Sequence, residues 1–352
     1  MKPSEAAGNA LRCVLEAKKG ESIVIFCDTE KLSVCEAFTI GALRLGLRTH
    51  LVTLQTQTNS IRTTMPESVQ KVFEEQDPDI FVNLLREMRE ETPFRIMLTR
   101  METKTEKARI GHCPGITPDM LTKGALALSI ADYKQMQRFA RKLINKLAES
   151  IEVEVTNATG THALFSVEKR PFFTDTRISP ENSKWINLPT GEVMVAPVED
   201  SLDGQIMCNT AVGGIGPIET PVKIIAKDGK VKELFSADDK VLKRIRDSLQ
   251  TDDSADNVGE FAFGINQRAR FVPQFLETEK VFGTTHIAFG NNSDMPGGRN
   301  TSHNHMDFLL TKPTVKIHDK DGSCFYVLVE GVFQDTTRSR HKLAKTESGE
   351  KD

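Results

Sequence analysis

The chain has 352 residues, which is enough for one large domain or for two domains of about 100–200 residues each. It contains 46 basic and 49 acidic residues, and the formal net charge of −3 offers no excess positive charge that would favour nucleic acid. Hydrophobic residues make up 38% of the chain and charged residues 27%, and no apolar run approaches the length of a membrane span. These values exclude a membrane-spanning protein, a fibre and a disordered chain.

The first part of the chain alternates strand and helix patterns. Residues 21–27 (ESIVIFC) form a short β-branched run that is typical of a strand buried on both faces. Residues 34–45 have helical spacing that ends at Gly46, and residues 48–54 (RTHLVTL) predict a second strand. This βαβ unit should have a right-handed crossover and place both strands in a parallel sheet.

The α/β pattern continues to about residue 150. Further strands are predicted at residues 79–84 and 95–98, and residues 131–147 predict a long, charged amphipathic helix. We therefore expect an α/β, Rossmann-like domain with a parallel sheet over residues 1–150. The first βα turn has neither GxGxxG nor a phosphate loop with its lysine, so no nucleotide site is predicted there.

After residue 150 the pattern changes to short alternating segments separated by Gly, Asn, Asp and Pro turns. These segments predict a β-rich α+β domain over residues 151–335, with a helix at residues 239–249. The glycine-rich stretch at residues 212–217 (VGGIGP) predicts a turn or bulge between strands. Residues 336–352 form a polar tail.

The six cysteines are scattered and form no CxxC pair, which is typical of reduced, mostly buried thiols in a cytosolic protein. Cys27 and Cys35 lie at a predicted strand-to-helix junction, where two buried thiols are favoured over a redox pair. The N-terminal segment lacks the apolar core of a signal peptide. We therefore expect a cytoplasmic protein.

Three of the eight histidines, His286, His303 and His305, fall close together in the chain. His286 lies at the end of an apolar strand-like segment, just before a polar, glycine-rich loop. His305 and Asp307 form an HxD triplet, and on a strand residues two apart point to the same face. Such a pair can offer two ligands to one metal, although on its own the pattern is more typical of a solvated strand face.

Two glutamates also stand at junctions between turns and apolar strands. Glu260 lies in NVGEFAFGIN, where burial without a partner would be costly, and Glu192 lies in LPTGEVMVAP after a Pro-Thr-Gly turn. Each glutamate alone is consistent with an exposed acid in a turn. Three carboxylates with two imidazoles, however, suit a pair of divalent cations that bridge and activate a water. The candidate metal ligands are Glu192, Glu260, His286, His305 and Asp307.

The segments NLPTGEV, VGEFAFG, THIAFG and HMDF carry these five residues in order. Together with RIGHCPGITPDML at residues 109–121 and ADYKQM at residues 131–136, they resemble the aminopeptidase T/aminopeptidase S family of leucyl aminopeptidase-like, co-catalytic metallopeptidases. The resemblance extends from about residue 20 to residue 335.

The resemblance implies that the same five residues hold two divalent ions (Zn, Co or Mn) and that the substrate is a small peptide or an amino-acid derivative. It also implies a homodimer. In the family a catalytic tyrosine follows the first histidine by seven residues, and here that position is Ser293. A serine hydroxyl cannot replace a phenol that polarises a tetrahedral intermediate. The chain is therefore expected to bind metal, with reduced peptidase activity.

Three functions are consistent with these residues. The leading hypothesis is a metal-dependent, aminopeptidase-like hydrolase in which Glu192 or Glu260 moves the proton. The second is a ring-cleaving dioxygenase, since a dihydroxypyridine dioxygenase resembles this family and would use His286, His305 and Asp307 around a single Fe(II). The third is a non-catalytic relative that keeps the fold and the metal. None of the three involves a membrane or a nucleic acid.

Overall fold

A computed structural model describes residues 1–56, 60–179 and 184–334 of the chain. The predicted polar tail at residues 336–352 lies outside these residues. The first part of the chain alternates helices and strands: α1 (Pro3–Cys13), β1 (Ser22–Asp28), α2 (Leu32–Arg44), β2 (Arg48–Leu54), α3 (Glu67–Glu75), β3 (Ile80–Leu84), α4 (Thr92–Thr103), β4 (Arg109–His112), α5 (Pro118–Thr122) and α6 (Ile130–Leu147).

The second part consists mainly of strands. These are β5 (Ser150–Thr156), β6 (His162–Ser166), β7 (Phe173–Thr174), β8 (Trp185–Asn187), β9 (Glu192–Val195), β10 (Asp203–Cys208), β11 (Ala211–Val212), β12 (Gly216–Pro217), β13 (Val222–Lys227) and β14 (Lys230–Phe235). They are followed by α7 (Asp239–Leu249), β15 (Val258–Gly264), α8 (Phe275–Thr278), β16 (Thr285–Gly290), β17 (His305–Leu310), β18 (Thr314–Asp319), β19 (Cys324–Val329) and β20 (Val332–Phe333).

A parallel sheet of five strands, in the order β2-β1-β3-β4-β8, forms the α/β part as the sequence predicts. Strands β1 and β3 are buried along nearly their whole length, which explains their continuous apolar sequences. The fifth strand, β8, comes from beyond residue 150 and pairs in parallel with β4. The chain therefore returns to this sheet after building β5–β7, and the division into domains at residue 150 stays a prediction.

The predicted strand at residues 95–98 is wrong, because these residues lie inside α4. The run Arg-Ile-Met-Leu is too short to distinguish a strand from a helix by periodicity. The helix is favoured by a proline at its first turn, and it buries Phe94, Leu98 and Glu102, which are spaced four residues apart. The fourth parallel strand is instead β4.

Helix α1 was not predicted, because its small residues give only a weak apolar pattern. It packs closely on α2 at a crossing of two glycines: a Cβ on Gly41 would lie 2.7 Å from the backbone nitrogen of Gly8. Ala6, Ala10 and Leu11 are fully buried there. Small residues therefore form a close helix–helix contact in this segment.

Two antiparallel sheets follow. The first has eight strands in the order β14-β13-β10-β6-β5-β18-β19-β20, and the second has seven in the order β12-β11-β17-β16-β15-β9-β7. In the eight-stranded sheet buried and more exposed residues alternate, as in β18, whereas β15 and β16 of the seven-stranded sheet are buried throughout. The rings of Phe165 on β6 and Phe261 on β15 lie 5.1 Å apart and join the two sheets. Charged side chains on the seven-stranded sheet therefore need partners close by.

Other predictions for this part of the chain are confirmed. The glycine-rich stretch at residues 212–217 forms the turn between β11 and β12, and the helix predicted at residues 239–249 is α7. In addition, Asp238 caps α7 by accepting from the backbone N–H of Lys240 and Val241 at 2.9 and 3.1 Å. All six cysteines are free thiols, and Cys27 and Cys35 are at most 1% exposed. None of the described helices combines the length and the apolar composition needed to cross a membrane.

Candidate metal centre

Four neighbouring strands of the seven-stranded sheet carry the five predicted ligands. Glu192 opens β9, Glu260 lies in β15, His286 in β16, and His305 and Asp307 in β17. These strands are adjacent in the order β17-β16-β15-β9. The five residues span more than a hundred positions of the sequence, and their side chains come together in one place as the sequence predicts.

A β-bulge sets the position of Glu260. The pairing of β15 with β16 shifts between Val258 and Glu260, so that Gly259 is the extra residue. A Cβ at Gly259 would lie 2.6 Å from the carbonyl oxygen of Gly290, so only glycine fits there. Such bulges redirect side chains next to functional sites. The glycine before the glutamate in VGEFAFG has this structural role.

The imidazole of His286 points at three carboxylates. Its Nε2 lies 3.2 Å from Glu260 Oε1, 3.6 Å from Glu192 Oε1 and 3.8 Å from Asp307 Oδ1. His286 is 1% exposed, and its Nδ1 has no hydrogen-bond partner among the described residues. A buried ring nitrogen facing three acids is therefore the centre of the cluster.

The second imidazole completes the arrangement. His305 Nε2 lies 3.3 Å from Asp307 Oδ1 and 3.4 Å from Glu260 Oε2, so Glu260 has one oxygen near each histidine. His305 Nδ1 donates to the carbonyl oxygen of Asn291 at 2.9 Å. With its proton on Nδ1, a neutral His305 presents the Nε2 lone pair to the cluster, which is the usual arrangement for a metal-binding histidine.

Three further residues of this centre were missed by the sequence analysis. Lys280 is 2% exposed, donates to Glu192 Oε2, and has its Nζ 2.8 Å from Glu279 Oε1 and 3.5 Å from Asp175 Oδ2. Asp175 also accepts from the backbone N–H of Gly191 and Glu192, at 2.9 and 2.7 Å, and so holds the start of β9. In the sequence these three residues look like ordinary charged residues of exposed turns. Only their burial in the structure identifies them as part of this centre.

Burial and neighbouring charges shift the pKa values of the acids in opposite directions. Burial raises the pKa of Glu192 well above its usual range; Lys280 opposes this shift, while Asp175 and Glu260 add to it. Burial likewise raises the pKa of Glu279 to about 8, against the lowering effect of Lys280. For Glu260 burial also acts upward, but the two histidines outweigh it and hold its pKa below the usual range.

The basic groups have raised pKa values for the corresponding reason. Burial on its own lowers the pKa of Lys280, but Glu192, Glu279 and Asp175 outweigh burial and hold that pKa well above its ordinary value. The pKa values of His286 and His305 are raised in the same way, by Glu260 and Asp307 against burial. The acids of the cluster thus favour the protonated forms of these basic groups.

The donor set fits a divalent cation. Two groups of possible ligand atoms lie within 4.8 Å of one another: Glu192, Glu279 and His286 form one, and Glu260, His286 and Asp307 form the other. Glu192 Oε1 is buried without a hydrogen-bond partner among the described residues, as is His286 Nδ1. Carboxylate oxygens and imidazole nitrogens are ligands for zinc and other borderline divalent ions.

The cluster lies in a cavity of about 350 Å³. Its lining includes the acids and histidines described above and also several apolar residues: Phe173, Ile178, Trp185, Ile186, Met194, Met295 and Pro296. Asn291 and Asp294 also line the cavity. A small molecule with an apolar side chain and a polar end could enter this cavity.

Two other residues from the sequence analysis, Ser293 and His303, are not among the residues that line the cavity. Ser293 is exposed, and its hydroxyl donates to Asn291 Oδ1 at 2.9 Å. His303 is also exposed, and its backbone N–H donates to Asp252 Oδ2 at 2.7 Å. Of the three neighbouring histidines, His303 is therefore the one with no described contact to the cluster.

The α/β part and the antiparallel sheets together enclose a buried carboxylate–histidine cluster in a cavity, and this cluster is a candidate site for a divalent metal ion. Residues 127–333, more than half of the chain, match the model of the thermophilic metalloprotease family M29. The chain belongs to this metalloprotease family. Family membership implies a divalent metal, and the cluster supplies candidate ligands.

Two solved structures share the fold over almost the whole chain. Wild-type AmpT from Thermus thermophilus matches with a TM-score of 0.68 and 16% identity, over 94% of this chain and 98% of that one. A 2,5-dihydroxypyridine dioxygenase from Pseudomonas putida KT2440 matches with a TM-score of 0.68 and 14% identity, over 96% of this chain and 98% of that one. No curated protein matches by sequence. At these identities the likeness shows a common fold.

Proposed function

We propose that the protein is a metal-dependent aminopeptidase that acts on short peptides or amino-acid amides. The observation that carries the proposal is the convergence of Glu192, Glu260, His286, His305 and Asp307 in one cavity. Membership of the metalloprotease family and the fold shared with AmpT support it.

In this proposal Glu260, His286, His305 and Asp307 hold divalent metal, whereas the sequence predicted two ions of Zn, Co or Mn with Glu192 as a fifth ligand. A divalent ion at this position supplies Lewis acidity and lowers the pKa of a bound water. Glu260 lies between the two histidines, with one carboxylate oxygen near each, and the proposal therefore assigns it as a metal ligand rather than as the base. Its oxygens are both engaged before any substrate enters.

The proton acceptor in the proposal is Glu192. Its Oε1 has no hydrogen-bond partner among the described residues, while its Oε2 is held by Lys280. A carboxylate with one oxygen held and one free is oriented and still able to accept a proton. Glu279 lines the same cavity and has a pKa raised to about 8 by burial, which makes it the other candidate base.

The lining of the cavity indicates the kind of substrate. Its apolar lining residues, among them Trp185 and Met194, suit the side chain of a hydrophobic amino acid, and its acidic lining residues suit a free amine. We therefore expect leucine, methionine and phenylalanine derivatives to be better substrates than those of charged amino acids.

The test is hydrolysis of leucine 4-nitroanilide by the purified chain supplied with Zn²⁺, Co²⁺ or Mn²⁺. We expect metal-dependent release of 4-nitroaniline that a chelator abolishes and added metal restores. Leucine 4-nitroanilide with its amine blocked by acetylation is the matched control, because an aminopeptidase requires the free amine. Hydrolysis that persists after chelation, or that is equal for the blocked substrate, would contradict the proposal.

The serine in place of the family's tyrosine leads to a second prediction. If a phenol at this position stabilises the tetrahedral intermediate, wild-type kcat should be lower than that of a tyrosine variant by roughly 10²–10³-fold, the cost of one missing oxyanion donor. We expect Ser293→Tyr to raise kcat and to leave metal affinity unchanged. Ser293→Phe, which adds the ring without the hydroxyl, is the control, and an equal gain from it would argue against a hydroxyl role.

A ring-cleaving dioxygenase is the second candidate. His286, His305 and Asp307 provide two imidazoles and one carboxylate, which is a set that suits a mononuclear ferrous ion, and the solved dihydroxypyridine dioxygenase shares the fold. Binding of one Fe(II) per chain together with oxygen consumption on a dihydroxypyridine, without hydrolysis of the anilide, would favour this function.

The homodimer and the cytoplasmic location remain predictions from the family resemblance and the cysteine pattern.

A further inference from the structure

Lys280 brings a positive charge of the protein itself into the candidate metal centre. Its Nζ donates to Glu192 Oε2 and lies 2.8 Å from Glu279 Oε1 and 3.5 Å from Asp175 Oδ2. The lysine side chain is 2% exposed, and those of the three acids are at most 10% exposed. The ammonium is thus enclosed by carboxylates, unlike a lysine on a solvated surface.

The backbone around Lys280 is also held on both sides. Its N–H donates to the carbonyl oxygen of Glu277 at 3.1 Å, and its own carbonyl oxygen accepts from the N–H of Asn266 at 2.9 Å. Asn266 is itself fully buried, and its side chain donates to Ala125 and Thr190. Moving the ammonium out of the cavity would therefore disturb a well-bonded segment.

The two groups of possible ligands differ in the basic side chains with which their acids pair. We call Glu192, Glu279 and His286 the Glu192 half, and Glu260, His286, His305 and Asp307 the Glu260 half. Lys280 pairs with both acids of the Glu192 half. In the described part of the chain, the ion pairs made by the acids of the Glu260 half involve only imidazoles.

This difference matters for metal binding. An imidazole nitrogen can offer a lone pair to a metal ion, whereas the ammonium of a lysine is a cation without a lone pair. A divalent ion in the Glu192 half would have to displace the ammonium from Glu192 or lie beside it. Because the ammonium and the divalent ion would be two positive charges close together in a buried space, their repulsion would strongly weaken metal binding.

Resting on the metal-dependent function proposed above, we propose that Lys280 is a fixed cation in the Glu192 half. The chain then binds one divalent ion tightly in the Glu260 half, and a second ion only weakly. Lys280 acts as a positioning residue that holds Glu192 Oε2 and leaves Oε1 facing the cavity. This arrangement differs from the two well-held ions that the family resemblance implies.

Equilibrium dialysis of chelator-treated protein against increasing Co²⁺, followed by metal analysis, tests the inference. For the wild type we expect one equivalent to bind tightly and a second to need at least about 100-fold more Co²⁺, because of the buried like charge. In Lys280→Met, which keeps the length and removes the charge, the second equivalent should bind at least about 10-fold more tightly. Lys227→Met, which removes a lysine paired with Asp203 on the surface, should behave as the wild type.

Two tight equivalents in the wild type would overturn the inference, and this measurement needs no variant. A folded Lys280→Met whose second equivalent binds no more tightly than that of the wild type would overturn it as well. Lys280→Gln serves if Lys280→Met does not give the wild-type circular dichroism spectrum. The binding assay is independent of turnover: tight binding of one ion without hydrolysis would reject the proposed function and support the inference, whereas hydrolysis with two tight ions would do the reverse.

Discussion

Glu260→Gln is expected to lower metal affinity by more than about 100-fold, because altering even a group that only supports a ligand costs about 10–100-fold. Glu260 is the one acid with an oxygen near each of the two imidazoles, at 3.2 Å from His286 and 3.4 Å from His305. Glutamine has nearly the same shape but no charge, and it replaces one acceptor oxygen by an amide donor that faces an imidazole.

The consequence for activity follows from the loss of metal. Hydrolysis of leucine 4-nitroanilide should fall to the level of the chelated wild type, and added metal should restore it only at concentrations far above those that saturate the wild type. Titration with Co²⁺ followed by absorption spectroscopy measures the affinity directly. Glu233→Gln, at an exposed position of β14, is the matched control and should leave both values unchanged. Normal affinity in Glu260→Gln would mean that Glu260 is not a ligand.

Glu102→Gln is expected to stabilise the protein at neutral pH and above. Glu102 is completely buried in α4, and its Oε2 accepts from Asn83 Nδ2 at 2.9 Å on the neighbouring strand β3. Burial raises the pKa of Glu102 from its ordinary value of 4.5 to about 8, with the hydrogen bond from Asn83 opposing the shift. Glu102 Oε1 and Asn83 Oδ1 have no hydrogen-bond partner among the described residues.

The sign of the pH dependence follows from proton binding. Between pH 4.5 and about 8 the native state keeps the proton on Glu102 and the unfolded state loses it, so the wild type loses stability as pH rises through this range. At about 1.4 kcal/mol for each pH unit, this loss amounts to about 3 kcal/mol at pH 7. Glutamine does not titrate, and its amide also offers a donor to the buried Asn83 oxygen.

Urea unfolding at several pH values, with metal removed so that metal binding adds no pH dependence, measures this effect. The stability of Glu102→Gln relative to the wild type should be smallest near pH 4.5 and should increase up to pH 8. Glu233→Gln is again the control and should follow the wild type at every pH. A constant difference between Glu102→Gln and the wild type over this range would contradict the raised pKa.

Local sequence patterns predicted the elements whose burial is regular. The β-branched run of β1 and the amphipathic repeats of α6 and α7 needed no tertiary information, because each pattern reports which side of the element faces the core. The predicted strand at residues 95–98 failed because four residues cannot show a period. Helix α1 was missed because its packing depends on the approach of Gly8 to Gly41, a contact between distant segments.

The five candidate ligands could be predicted from sequence because each lies close to the junction of a turn and an apolar strand, where a charged or imidazole side chain is unusual enough to notice. Asp175, Glu279 and Lys280 give no such signal. Charged residues in turns are normally solvated, and only the packing of three separate segments removes water from these three. The sequence by itself thus predicted the parallel α/β sheet and the five candidate ligands, because both predictions depend on local patterns. Only the tertiary structure decided which charges share a buried space, because burial depends on what distant parts of the chain cover.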